Sequence, residues 1–172
     1  MIRPFRGVLP QIHETAYVDE SAVVIGDVHI GEQSSVWCNV TIRGDCFYIR
    51  IGNRTNVQDN SVIHVTNDTH ATILEDEVTI GHSVTLHGCY VERGSLIGIG
   101  SIVMDGVRVG HHSLVAAGSL VTPGTQIPPR SLVMGSPAKV KKELSDEEVK
   151  SLDMFWQNYV EYTRLFKEEY EK

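Results

Sequence analysis

Three of the eight histidines in this chain, His64, His82 and His87, fall within one short stretch, and imidazole is the side chain most often used to hold a transition metal. Three neutral imidazoles around one ion leave a fourth position open, which is how catalytic zinc sites activate water. The bland reading is that all three are solvated surface residues, as His13, His29, His70, His111 and His112 are expected to be. Spacing alone leaves both readings open. What decides whether the three side chains can meet is the structure that carries them.

That structure is announced by a repeat. Every sixth residue from Ile12 reads Ile12, Val18, Val24, Ile30, Val36, Ile42, and every sixth from Val91 reads Val91, Ile97, Val103, Val109, Val115, Val121, Ile127, Val133. Two shorter runs, Ile51, Val57, Ile63 and Leu74, Ile80, Leu86, keep the same period. The phase slips near residues 43 to 50, 64 to 73 and 87 to 90, which are expected to be loops or local adjustments. Four positions after many of the apolar residues stands a small or β-branched one, among them Ala16, Ser34, Ser95, Ser113 and Ser131.

A helix wants apolar spacings of 3 and 4 and a flat strand wants 2, so a strict 6 fits neither, nor the irregular strands of a β-sandwich. It fits the hexapeptide β-helix, in which each hexad is a short strand plus a turn and three hexads close one triangular coil. The predicted fold is all-β: a parallel β-helix over residues 1–140, left-handed by resemblance to hexapeptide proteins, followed by a C-terminal helix over 141–172. Met134-Gly-Ser-Pro-Ala-Lys139 reads as the exit from the coils, and Ser145-Asp-Glu-Glu148 as a capping box. Val149, Leu152, Trp156, Tyr159, Thr163, Phe166 and Tyr170 then recur at alternating spacings of 3 and 4, a single apolar stripe. Its Trp and two Tyr suggest docking onto the coils rather than a coiled-coil seam.

Counting hexads places Ile42, Ile63 and Leu86 on one face of consecutive coils, so the following residues, Arg43, His64 and His87, should stack about 4.8 Å apart. Val36, Val57 and Ile80 share the preceding face, with Gln58 and His82 as near neighbours there. His64 and His87 could bind one ion together, but His82 looks out of a different face. If three prisms close around a threefold axis, His82 of one chain can meet His64 and His87 of the next.

Composition limits the partners. A formal net charge of -7 argues against nucleic acid, which needs clustered Lys and Arg. No apolar run is long enough for a membrane span, Cys38, Cys46 and Cys89 form no disulfide framework, and the opening Met1-Ile-Arg-Pro-Phe5 is no signal peptide. A cytoplasmic location is expected.

Arg43-Gly-Asp45, Asn56-Val-Gln-Asp59, His64, Gly81-His82 and Leu86-His-Gly-Cys89 resemble, in order and spacing, the motifs of the gamma-class carbonic anhydrases, over nearly the whole chain. The resemblance implies a homotrimer that hydrates carbon dioxide to bicarbonate, with zinc, or alternatively iron or cobalt, held by His64, His82 and His87 between adjacent subunits. It implies that Gln58 positions the metal-bound water or bicarbonate and that Asn56 orients Gln58. Arg43 and Asp45 correspond to an interface pair near the site, with a plain structural ion pair as the alternative, and Tyr159 to a tyrosine that the terminal helix brings to the pocket. For carbonic anhydrases the pKa of zinc-bound water is known to be about 7, which makes hydroxide available at neutral pH. Cys89 reads as a small buried filler. One departure matters: the loops around Cys46-Phe-Tyr48 and residues 65 to 70 contain no glutamate to shuttle protons, leaving Asp68 or His70 as substitutes. Relatives of this kind also suggest two other functions, an acyl-CoA thioesterase using the same metal site, and a hexapeptide acyltransferase or non-catalytic assembly subunit.

Overall fold

The computed structural model describes residues 1–170, so Glu171 and Lys172, the end of the expected helical segment, lie outside the described residues. The chain winds as a left-handed parallel β-helix of seven coils with one terminal helix. Each hexad position meets its equivalent one coil on. Val36 pairs with Val57, Val57 with Ile80 and Ile80 with Ile97 on one face, Ile42 with Ile63 and Ile63 with Leu86 on the next, and Ile51 with Leu74 on the third. These side chains fill the prism and are almost all fully buried, with only Ile12 and Val18 at the open end partly exposed. Each contributes about 1.5–3 kcal/mol by leaving water.

The small residues four places on have a second task. Ser34, Ser95 and Ser113 donate to the carbonyls of Gly52, Gly110 and Pro128, and accept from the amides of Thr55, Ser113 and Ser131. These hydroxyls satisfy backbone groups that the corners take out of the parallel ladders, where burial without a partner costs about 1–3 kcal/mol.

Of the loop or local adjustment expected at 43 to 50, the structure has the second. Thr41–Ile51 is one continuous strand that rounds a corner of the prism beside Val23–Ile30, and the extra residues are absorbed where the register shifts between Gly26 and Val28. The two backbones touch there: a Cβ on Gly26, already at φ +78°, would collide with the carbonyl of Gly44. The slip after His64 is a projecting loop closed by a bridge between Thr66 and His70, and the one after His87 is a turn through Gly88 at φ +57°.

The coils end in an antiparallel hairpin, Ser131–Gly135 with Ala138–Glu143. Helix α1 (Asp146–Tyr170) starts on the expected capping box, with the Glu148 amide donating to Ser145 Oγ and the Ser145 amide to the Glu148 carboxylate. It docks along the face that carries Leu96, Leu114 and Leu132, burying Leu152 there and setting Tyr159 and Phe166 edge-on against Trp37. Among the described residues no helix is long and apolar enough to cross a membrane.

Candidate metal centre

His64 and His87 close the strands Val62–His64 and Thr85–His87 and are register partners one coil apart. Because Ile63 and Leu86 point into the core, strand alternation turns the next residue outward. The imidazoles face each other, with His64 Nδ1 3.2 Å from His87 Nε2. Two nitrogens bound tetrahedrally to one zinc at about 2.1 Å lie roughly 3.4 Å apart, so the separation of this pair is close to what one ion requires.

Each of the three histidines gives its other ring nitrogen to an aspartate. Asp45 Oδ1 lies 3.0 Å from His64 Nε2, Asp105 Oδ1 2.7 Å from His87 Nδ1, and Asp59 Oδ2 2.9 Å from His82 Nδ1. A carboxylate hydrogen-bonded to one nitrogen fixes the N–H there, which leaves His64 Nδ1 and His87 Nε2 as lone-pair donors, while Asp59 lies within ion-pair distance of His82 Nδ1 and leaves Nε2 on the far side of that ring. Partial burial pushes the carboxyls of Asp45 and Asp105 up, but the hydrogen bonds from His64 to Asp45 and from His87 and Thr66 to Asp105 outweigh it and hold both below the usual carboxylate range. Arg43 pairs with the second oxygen of Asp45, so it reaches His64 through that carboxylate. The ladder between their strands runs through Ile42 and Ile63.

His82 follows the strand Thr79–Ile80 in the other sheet, at the corner beside Gln58. Gln58 is buried and donates to Asn56 Oδ1 at 3.1 Å, and Asn56 in turn donates to Thr79 Oγ1 at 3.0 Å. Gln58, Thr79 and His82 line a groove of about 780 Å³ between the coils and α1, whose opposite wall includes Tyr159, Phe155 and Tyr162. Burial, and the charge of Asp59, push the Tyr159 phenol up to about 12. It can donate a hydrogen bond at neutral pH but not accept a proton.

No protein-family model matches the chain. It is 46% identical to a carbonic anhydrase of Geobacillus kaustophilus, over 97% of this chain and 91% of that protein. It is 43% identical to the mitochondrial gamma carbonic anhydrase 1 of Arabidopsis thaliana, over 87% of this chain and 56% of that longer protein. Among solved structures, one described as a putative acetyltransferase of Bacillus cereus superposes with a TM-score of 0.95 at 42% identity, covering 97% and 96% of the two chains. The chain belongs to the gamma carbonic anhydrase family.

Within that family's frame, the structure brings Arg43, Asp45, His64 and His87 together at one corner, and Asn56, Gln58, His82 and Tyr159 at another. Sequence reasoning missed Asp59 and Asp105, because aspartates at hexad corners read as turn residues. For Asp105 the register held a signal: Val103 lies one coil on from Leu86, so Asp105 falls one residue past the position above His87. Thr79 and Thr66 were likewise unmarked, each revealed only by the amide or carboxylate it touches. Of the two possible proton carriers, Asp68 and His70 are both exposed, and His70 lies against Gly88 and Gly106 on the Asp105 side of His87. Cys89 is core filler, its thiol pushed up to about 12 by burial.

Proposed function

We propose that this protein is a carbonic anhydrase, hydrating carbon dioxide to bicarbonate as a homotrimer, with one zinc held by His64 and His87 of one chain and His82 of its neighbour. The observation that carries the reading is the pairing of every candidate ligand with its own aspartate, which takes up one ring nitrogen of each imidazole and leaves the other for an ion. The separation of His82 from the other two, on a different sheet, supports sharing between chains. So does the half-exposed apolar surface beside both halves: Val62 and Ile102 on the His64 face and Ile99 near His82.

A cation bound there would supply a Lewis acid that makes water ionisable near neutral pH. The chain's own residues do the rest. Thr79 and Asn56 hold Gln58 so that its amide oxygen faces the groove and orients an O–H of water or bicarbonate. Tyr159, kept as a neutral phenol, donates to an oxygen of the substrate. Arg43 holds Asp45 as an anion and so fixes the His64 ring. His70, exposed beside Gly88 and Gly106 on the Asp105 side of His87, is placed to carry protons outward.

The groove favours a second reading, because carbon dioxide needs far less than 780 Å³ and the walls are largely apolar. Hydrolysis of an acyl-CoA thioester by the same centre would use that space. Metal analysis, mass in solution and assays on both substrates test the proposal together. The expected result is metal in a species of three times the chain mass, carbon dioxide hydration, and loss of both metal and activity in a folded His82→Ala variant. A metal-loaded monomer, or turnover of acyl-CoA without hydration of carbon dioxide, would overturn it.

A further inference from the structure

We propose that Asp45, Cys46 and His64 form a second cation site, which takes a soft divalent metal such as zinc or cadmium on the outward side of His64. Among the described residues these three form a group whose ligand atoms all lie within 4.8 Å of one another. Cys46 Sγ lies 3.9 Å from His64 Nε2, and Asp45 Oδ1 lies 3.0 Å from the same nitrogen. Around a tetrahedral zinc, sulfur and nitrogen at about 2.3 and 2.1 Å sit roughly 3.6 Å apart, and nitrogen and oxygen roughly 3.4 Å. These two separations straddle those values, and the third, between Cys46 Sγ and Asp45, lies within 4.8 Å, so modest side-chain movement brings all three donors onto one ion.

The donor set is thiolate, imidazole and carboxylate, which selects zinc-like metals over calcium or magnesium. Solvent reaches it through an opening of about 310 Å³. Asp68 lines that opening and brings a second carboxylate, while Arg43 occupies the other oxygen of Asp45 and leaves Oδ1 to the ion. Uptake replaces two protons, one on the Cys46 thiol and one on His64 Nε2, and both leave to solvent. The ion then takes the place of the contact by which Asp45 orients His64.

The functional consequence rests on the proposed role of His64: an ion on Nε2 withdraws electron density from Nδ1 and frees the ring from Asp45, so excess zinc inhibits carbon dioxide hydration. Occupancy itself rests only on the three side chains.

The test is cadmium titration of the trimer already loaded with its first metal, followed by the ultraviolet sulfur-to-cadmium charge-transfer band. One further ion per chain with that band is expected. Cys46→Ser should lose the band and the further ion, keep the first metal, and need about tenfold or more zinc for inhibition. A variant with Cys38 and Cys89 both changed to Ser should keep the band. His82→Ala should also keep it while losing the first metal, so failure of the shared-centre reading and failure of this one are told apart. A band that survives Cys46→Ser, or no thiolate band in the unaltered protein, overturns the proposal.

Discussion

His64 Nδ1 and His87 Nε2 face each other 3.2 Å apart across one coil of the prism, each ring fixed from behind by its own aspartate. The contact follows from the fold at its simplest. Parallel register puts equivalent residues directly above one another, and a residue just past the inward Ile63 or Leu86 must point out. Without an ion the two rings can share one N–H in a single hydrogen bond, whereas a shared ion uses both lone pairs.

Asp105 should therefore govern metal affinity although it touches no metal. Asp105→Asn keeps the shape but loses the charge that sets the His87 tautomer, and chelator competition should show about 10- to 100-fold weaker metal binding. Unchanged affinity would mean that His87 needs no support. Thr66→Val, which removes the hydrogen bond to the second carboxylate oxygen, should give a smaller loss in the same direction.

Trp37 is the anchor for the terminal helix. It is buried, donates to Ser35 Oγ at 2.9 Å, and carries Tyr159 and Phe166 on its faces. Trp37→Ala should cost about 3–5 kcal/mol in denaturant unfolding. It should also release Tyr159 from the groove, lowering kcat/KM while the metal stays bound. Stability close to that of the unaltered protein would show that α1 is held elsewhere.

Acid should weaken the fold through Glu77, whose side chain bridges Arg54 and Arg93 from successive coils at 2.9 and 2.7 Å. Burial raises its carboxyl, but the hydrogen bonds and charges of Arg93 and Arg54 outweigh burial and set it below the usual value. A depressed carboxyl gives its full stabilisation above the unfolded pKa of about 4.3, and loses it as pH falls through the folded value. Glu77→Gln should be less stable at neutral pH by about 1–3 kcal/mol, and its unfolding midpoint should fall less steeply between about pH 5 and 3. Parallel acid limbs in the two proteins would contradict this.

Most of the fold was legible because the period of six admits one architecture, and the hexad count carried across the loops to place His64 beside His87 and His82 apart from both. The slip at 43 to 50 stays open between a loop and a local adjustment, since sequence cannot distinguish a loop from a strand that rounds a corner, and the structure has the strand. Only the approach of Gly26 to Gly44 explains why the chain stays extended there. The aspartates behind the histidines were hidden for another reason. Asp59 precedes Asn60, which adopts φ +61°, so its type is already explained by the corner it begins. A residue that serves both a turn and a ligand shows only the first in its sequence.

Proton export should limit turnover. With no glutamate in the loops around the centre, carbon dioxide hydration should be slow in dilute buffer and rise with small diffusible buffers such as imidazole. His70→Ala should deepen that dependence, and Asp68→Ala should leave it nearly unchanged. Fast turnover independent of buffer, retained in His70→Ala, would assign the proton to another internal group.

The central claim is that the metal centre belongs to two chains, and mixed trimers test it most directly. His82→Ala and His64→Ala should each be metal-free and inactive as pure trimers. When the two are unfolded together in equal amounts and refolded, three-quarters of the rings contain both kinds. Each such ring has one junction where an intact His82 meets an intact His64 and His87, so about a quarter of the normal metal content and activity should return. No recovery, from variants that each fold and assemble, would place all three ligands in a single chain and contradict the account.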